Sequence, residues 1–176
     1  KPVGVNWPDE GTSQEQALAT NGNLGLLLGP KSDVMDVDLD CREAKGLAQL
    51  ILPKPFAQFD RGTSDSGHYL YKAITCGPTK KFSGNGPKST LLELRGDGSQ
   101  TMIPPSIHPD GSRLNFTDIN QDAPEVEYAD LLKSVSLLAA CSEVAQLWVS
   151  GRRHELALSF SGLCLKQEVD PQLLVN

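Results

Sequence analysis

Apolar residues recur along this chain in two rhythms. Through residues 33–40 the period is two. Leu24–Leu28 is a short apolar run closed by Gly29-Pro30, and "DVMDVDLD" at 33–40 alternates acids with Val37 and Leu39. Both segments read as strands, close enough in sequence to pair as a hairpin. Further strands are predicted at 56–59, at "HYLYKAI" (68–74), at "TLLELRG" (90–96), at "QTMIPPS" (100–106) and near Phe116, with "GPTKKFSGNGPKS" (77–89) a long loop or hairpin between them. The helical rhythm appears first at "GTSQEQALAT", where Thr12 and Glu15 fit a capping box, and again at "DCREAKGLAQLIL". In that second helix Asp40 is the expected N-cap, Ala44, Leu47, Ala48 and Ile51 share one face, and Pro53 and Pro55 stop it. After about residue 121 the period is helical throughout, over 124–149 and 152–166. The pattern predicts an α+β fold with a mixed or antiparallel sheet, divided into a domain at 1–121 and a helical segment at 122–176.

Composition narrows the class. The 176 residues are 39% apolar and 22% charged. Those fractions are ordinary for a water-soluble domain, and no apolar run is long enough to cross a bilayer. Cys41, Cys76, Cys141 and Cys164 are scattered without a C-x-x-C pair, which favours reduced thiols in a cytoplasmic setting over zinc or a disulfide framework. Residue 1 is Lys, so the chain reads as a piece of a longer protein. The net charge of −6 argues against broad duplex binding by this piece alone but leaves room for a local basic groove.

Candidate chemistry begins with the alternating acids. Period-two geometry sets Asp36, Asp38 and Asp40 on one strand face, opposite Met35, Val37 and Leu39. Such neighbours repel unless a cation lies between them, and hard oxygen donors suit Mg²⁺ or Mn²⁺. The alternative is an edge strand with its acids in water. Asp40 is better explained as a helix cap than as a third ligand. His68 leaves the loop "RGTSDSGH", whose small residues admit a phosphate close to the backbone; the alternative is a histidine bonded to its own loop. Glu93 and Arg95 share a strand face and either complete an acidic cluster or form a plain surface pair. Pro104-Pro105 presents Ser106 and His108 on a rigid turn. "SGNGPKST" is no P-loop, because Pro87 separates Gly86 from Lys88.

In this order, "NLGLLLG", "DVMDVDLD", "GTSDSGHYLY" and "LLELRGDGSQTMIPPSIHPDG" resemble the N-terminal catalytic domain of bifunctional primase–polymerases, in the archaeo-eukaryotic primase superfamily. The resemblance covers about residues 22–116. "GRRHELALSFSGLCLK" is similar to the Gly-x-Arg-(Asn/His) helix of the helical region that follows in such proteins from plasmids, phages and mobile elements. The resemblance implies an RRM-like catalytic core flanked by helices. It implies that Asp36, Asp38 and Glu93 hold two Mg²⁺ or Mn²⁺ ions, and that Ser66, His68, Arg95, Ser106 and His108 line a nucleotide site. Catalysis would fall to Asp36, Asp38, Glu93 and His68. Many relatives have Ser-Gly-Gly where Ser64-Asp65-Ser66 stands here, which adds a negative charge near the triphosphate. The implied activity is template-dependent nucleotidyl transfer, as a DNA primase or polymerase. The implied partners are single-stranded DNA, ribo- or deoxynucleoside triphosphates and a helicase domain on the same or another chain, with no membrane. Lys72, Lys80, Lys81, Lys88 and Arg113 are the candidates for template contact. The competing readings are a non-catalytic nucleotide- or single-strand-binding module and a metal-dependent nuclease or phosphohydrolase.

Overall fold

A computed structural model describes residues 11, 13–19, 22–62, 65–85 and 90–166. The elements run α1 (Gln14–Ala19), β1 (Leu24–Leu27), β2 (Val34–Leu39), α2 (Arg42–Ile51), β3 (Ala57–Asp60), β4 (Gly67–Lys72), β5 (Lys80–Ser83), β6 (Thr90–Arg95), β7 (Gln100–Ile103), β8 (Asn115–Ile119), α3 (Tyr128–Leu147) and α4 (Arg153–Lys166). Six strands form one antiparallel sheet in the order β5-β6-β2-β4-β3-β8, and β1 pairs with β7 in a separate two-stranded sheet. The fold is therefore α+β with antiparallel sheets and a helical C-terminal segment. No helix among the described residues is long and apolar enough to cross a membrane.

The strand β2 sits at the centre of the larger sheet because both its faces are wanted. Met35, Val37 and Leu39 point to one side and join Tyr69 and Tyr71 of β4 and Leu92 and Leu94 of β6. The helices α2 and α3 cover that side with Ala44, Ala48, Leu131, Val135 and Leu138. Small alanines on α2 let it lie close to the sheet. On the other face, Ala57, Phe59, Leu70 and Leu114 pack against Leu26, Met102 and Ile103 from the β1–β7 pair. That small sheet covers part of this face, and the cleft described below lies beside it.

Three expectations change. The hairpin between β1 and β2 does not form: Leu24 lies opposite Ile103, and only a Gly29–Val34 bridge joins the two segments. With β4 and β6 on its two sides, β2 offers no edge to β1. Gly29 at φ 97° and Asp33 at φ 53° turn the chain from one sheet into the other. Glycine takes such a left-handed conformation without steric cost. Because β2 is central it is no wet edge strand, and Asp36 and Asp38 are buried.

Asp40 does not cap α2. The N-cap is Cys41, with no side-chain cap bond. The Asp40 amide instead donates to Leu91 O at 3.0 Å, which carries strand geometry one residue further and keeps the Asp40 side chain with the sheet. At α1 the reciprocal pair is Ser13 and Gln16, each backbone amide 3.3 Å from the other's side-chain oxygen. This is the geometry of a capping box, set one residue later than expected. Thr12, from the expected box, lies outside the described residues, as do Ser64 and Lys88.

A tight seam closes the β5–β6 end. A Cβ on Gly96 would collide with the Gly77 carbonyl oxygen, and one on Gly77 would lie 2.6 Å from the Tyr128 ring. The Asp97 amide donates to Gly77 O at 2.9 Å and the Tyr128 hydroxyl to Pro78 O at 2.8 Å, so the start of α3 is fastened to the sheet.

Candidate active site

One cross-strand row runs the full width of the larger sheet. Lys81 of β5 is opposite Glu93 of β6, Glu93 is opposite Asp38 of β2, and Asp38 is opposite His68 of β4; Phe59 of β3 and Phe116 of β8 complete it. In the neighbouring row on the same face, Arg95 is opposite Asp36. Residues as distant in sequence as Asp38 and Glu93 thus become neighbours by strand pairing alone, since directly opposed side chains lie about 5 Å apart.

The side chains interlock. Asp36 Oδ2 lies 2.9 Å from His68 Nδ1, and Asp38 Oδ1 lies 3.6 Å from His68 Nε2. Arg95 pairs with Asp38 and donates from Nε to Glu93 Oε2 at 3.1 Å, while Lys81 Nζ lies 3.2 Å from Glu93 Oε1. The Phe59 ring stacks on the imidazole at 4.6 Å and 10°, which fixes its plane.

Burial and charge set the protonation. Burial pushes the Asp38 carboxyl up to about 6, and His68 and Arg95 offset it only in part. Burial, then Glu93, also raises Asp40. For His68, burial works to lower the pKa, but Asp36 and Asp38 outweigh it and hold the ring toward its charged form. For Glu93, burial works upward, and the bonds and charges of Arg95 and Lys81 bring the carboxyl below its ordinary value.

The donor set suits a hard divalent cation. Four carboxylates (Asp36, Asp38, Asp40 and Glu93) face two permanent cations, Arg95 and Lys81, and one histidine, so negative charge is in excess. Asp36 Oδ1 is buried without a hydrogen-bond partner. An orphan acceptor of this kind costs about 1–3 kcal/mol. In the side-chain arrangement described, the acids are turned to the protein's own cations, and among the described residues no three donors are arranged to grip one ion.

A cleft of about 240 Å³ opens over this face. Asp38, Asp40, His68 and Arg95 line it, together with Ser66, His108 and Arg61. Of the residues singled out in the sequence, Asp38, His68, Arg95, Ser66 and His108 therefore meet in one place, with Asp36 buried beneath and Glu93 beside Asp38 in the row. Ser106 stands apart. It is buried, and its hydroxyl accepts from the Leu24 amide at 2.8 Å and donates to Leu24 O at 3.3 Å, tying the turn after β7 to β1. Lys81 faces the row, whereas Lys80, its neighbour on β5, falls on the opposite side of the sheet.

Two further residues line the cleft without having been singled out for it, and a third braces the loop beside it. Asp40 carried its own signal, since it continues the alternation of Asp36 and Asp38. Arg61 stood in the loop before His68, its role hidden until the fold brings that loop to residues 108–112. Lys45 of α2 bonds Asp60 Oδ2 at 2.7 Å and Ser66 O at 3.0 Å, holding the loop ahead of His68 against the helix.

The family model for the bifunctional DNA primase/polymerase N-terminal domain, Prim-Pol, matches residues 1–129. No curated protein matches the chain.

Proposed function

The chain belongs to the bifunctional DNA primase/polymerase family through its N-terminal, Prim-Pol, domain, and on that premise we propose that its cleft joins nucleotides on a single-stranded DNA template. At family level it is a nucleotidyltransferase of primase/polymerase type. The observation that carries the finer reading is the row Glu93–Asp38–His68 on three adjacent strands, with Asp36 and Arg95 in the next row.

Asp36, Asp38 and Glu93 are the residues to hold two Mg²⁺ or Mn²⁺ ions, which when bound supply Lewis acidity at the primer 3′-hydroxyl and at the departing pyrophosphate. The protein's own contribution is placement and charge. His68 is oriented by Asp36 and Phe59 and presents a partly positive ring to phosphate. Arg95 spans Asp38 and Glu93 and holds both carboxylates on the cleft side of the sheet. Ser66 and His108 line the far part of the nucleotide site, and Ser106 supports it from behind by fixing the turn. The segment Gly151–Lys166, most of it in α4, supports a replication protein of a phage, plasmid or other mobile replicon that works with a helicase domain.

The test is primer synthesis and primer extension by the protein on single-stranded DNA with Mn²⁺. Asp38→Asn is expected to bring both to background with the fold intact by circular dichroism. Unchanged synthesis would sink the assignment. A second reading, a nucleotide-binding module without catalysis, is favoured by one observation: Arg95 is already paired with both Asp38 and Glu93. Calorimetry separates the two, because such a module binds nucleotide equally well with Mn²⁺ and with EDTA.

A further inference from the structure

The cleft has a second charged end, where Arg61 stands beside Ser66 and His108 without belonging to the motifs. Arg61 follows directly on β3, two places from β2 in the sheet. At the ordinary spacing of strands that sets it roughly 10 Å from the carboxylates. Its Nη1 donates to Asp110 Oδ2 at 2.8 Å and lies 3.3 Å from His108 Nδ1; its Nη2 donates to Ser66 Oγ at 3.3 Å. These contacts gather a guanidinium, an imidazole and a hydroxyl at a distance that a triphosphate chain can bridge from the carboxylate end. Building on the nucleotide-site reading above, we propose that Arg61 and His108 hold the terminal phosphates of an incoming nucleoside triphosphate, and that Asp110 occupies Arg61 until the nucleotide arrives.

The chemistry of the pair supports an exchange. A planar guanidinium matches phosphate oxygens as well as it matches a carboxylate. The Arg61 and Asp110 side chains are 28% and 50% exposed. Their mutual attraction is therefore weak, and a multiply charged phosphate displaces it. Asp110 is left satisfied when Arg61 departs, because its other oxygen accepts from the Ser112 amide at 2.9 Å and from the Ser112 hydroxyl. Arg95 is poorly suited to the same task, being committed to two buried or half-buried carboxylates. Arg61 is thus the cation of the cleft with the most replaceable partner among those described.

The experiment measures affinities for adenosine and deoxyadenosine tri- and monophosphates by calorimetry in Mg²⁺. Wild type is expected to prefer the triphosphate. Arg61→Gln is expected to lower triphosphate affinity by on the order of tenfold and to leave monophosphate affinity unchanged. Asp110→Asn, which keeps the side chain's shape and an acceptor oxygen for Ser112, is expected to raise triphosphate affinity about two- to fivefold. An Arg61→Gln protein that keeps the wild-type ratio of triphosphate to monophosphate affinity overturns the proposal, and so does wild-type triphosphate affinity in Asp110→Asn. If Arg61→Gln does not fold, Asp110→Asn decides alone. A wild type that binds neither nucleotide removes the nucleotide-site reading itself, a result distinct from loss of Arg61's role.

Discussion

Asp110 shows how a surface carboxylate can be held in its charged form. Its hydroxyl and amide bonds from Ser112 come first, and His108 adds to them, so the carboxyl is held well below the ordinary aspartate range. A depressed folded pKa stabilises the turn at any pH above the unfolded value, and that contribution is lost only as pH falls through the folded value. A carbon-13 titration is expected to show Asp110 ionised well below the midpoint of an ordinary aspartate, and Ser112→Ala is expected to move its midpoint upward; an unmoved midpoint contradicts the assignment of cause. Asp38, His68 and Glu93 of the row were legible in the sequence, because alternation assigns faces and the order of Asp-x-Asp, His and Glu-x-Arg is distinctive, whereas Lys81, Phe59 and Phe116 joined them only through strand pairing. Arg61 was not, because its partners lie 47 and 49 residues away and meet it only in the fold. Asp40 was misread because a short-range capping rule and the continuation of a strand compete for the same residue, and the bond to Leu91 decides for the strand.

At the scale of elements, helical spacing and strand alternation located most segments, while the pairing of β1 depended on which strands could claim the sides of β2. The contribution of α3 is equally a matter of which face looks inward. Leu138 is fully buried against the sheet, and Leu137, its neighbour, is 56% exposed. Leu138→Ala is expected to cost about 2–5 kcal/mol in denaturant unfolding, and Leu137→Ala is expected to shift the midpoint little; similar losses from both would contradict the packing described. The seam offers a sharper case. At Gly96 an added methyl would meet the Gly77 carbonyl oxygen, a backbone atom that cannot swing aside, so Gly96→Ala is expected to lower the melting temperature. Gly98 has open space around its Cβ position but sits at φ 71°. Gly98→Ala therefore carries only backbone strain and serves as the comparison.

Across the whole molecule, one sheet is shared by two layers with different duties. The larger apolar core lies on the helix-covered side of the sheet, and α3 enters it together with α2 and β2. A chain ending at residue 121 would leave Val37, Leu92 and Leu94 without Leu131, Val135 and Leu138 above them. It is expected to unfold without a cooperative transition or to aggregate, which a calorimetric scan against the chain of 176 residues would show.

The double duty of β2 has a consequence for how errors are corrected. Met35, Val37 and Leu39 belong to the helices and Asp36 and Asp38 to the cleft side, so a slip of one position would drive Asp36 and Asp38 among leucines and turn Val37 into the charged row. No misaligned version can be nearly as stable as the native one. The oily side of the strand therefore acts as a proof-reader for the charged side: any molecule that has found its lowest energy has also set its carboxylates in line. Substitutions can abolish that line, but the core prevents them from sliding it along the strand.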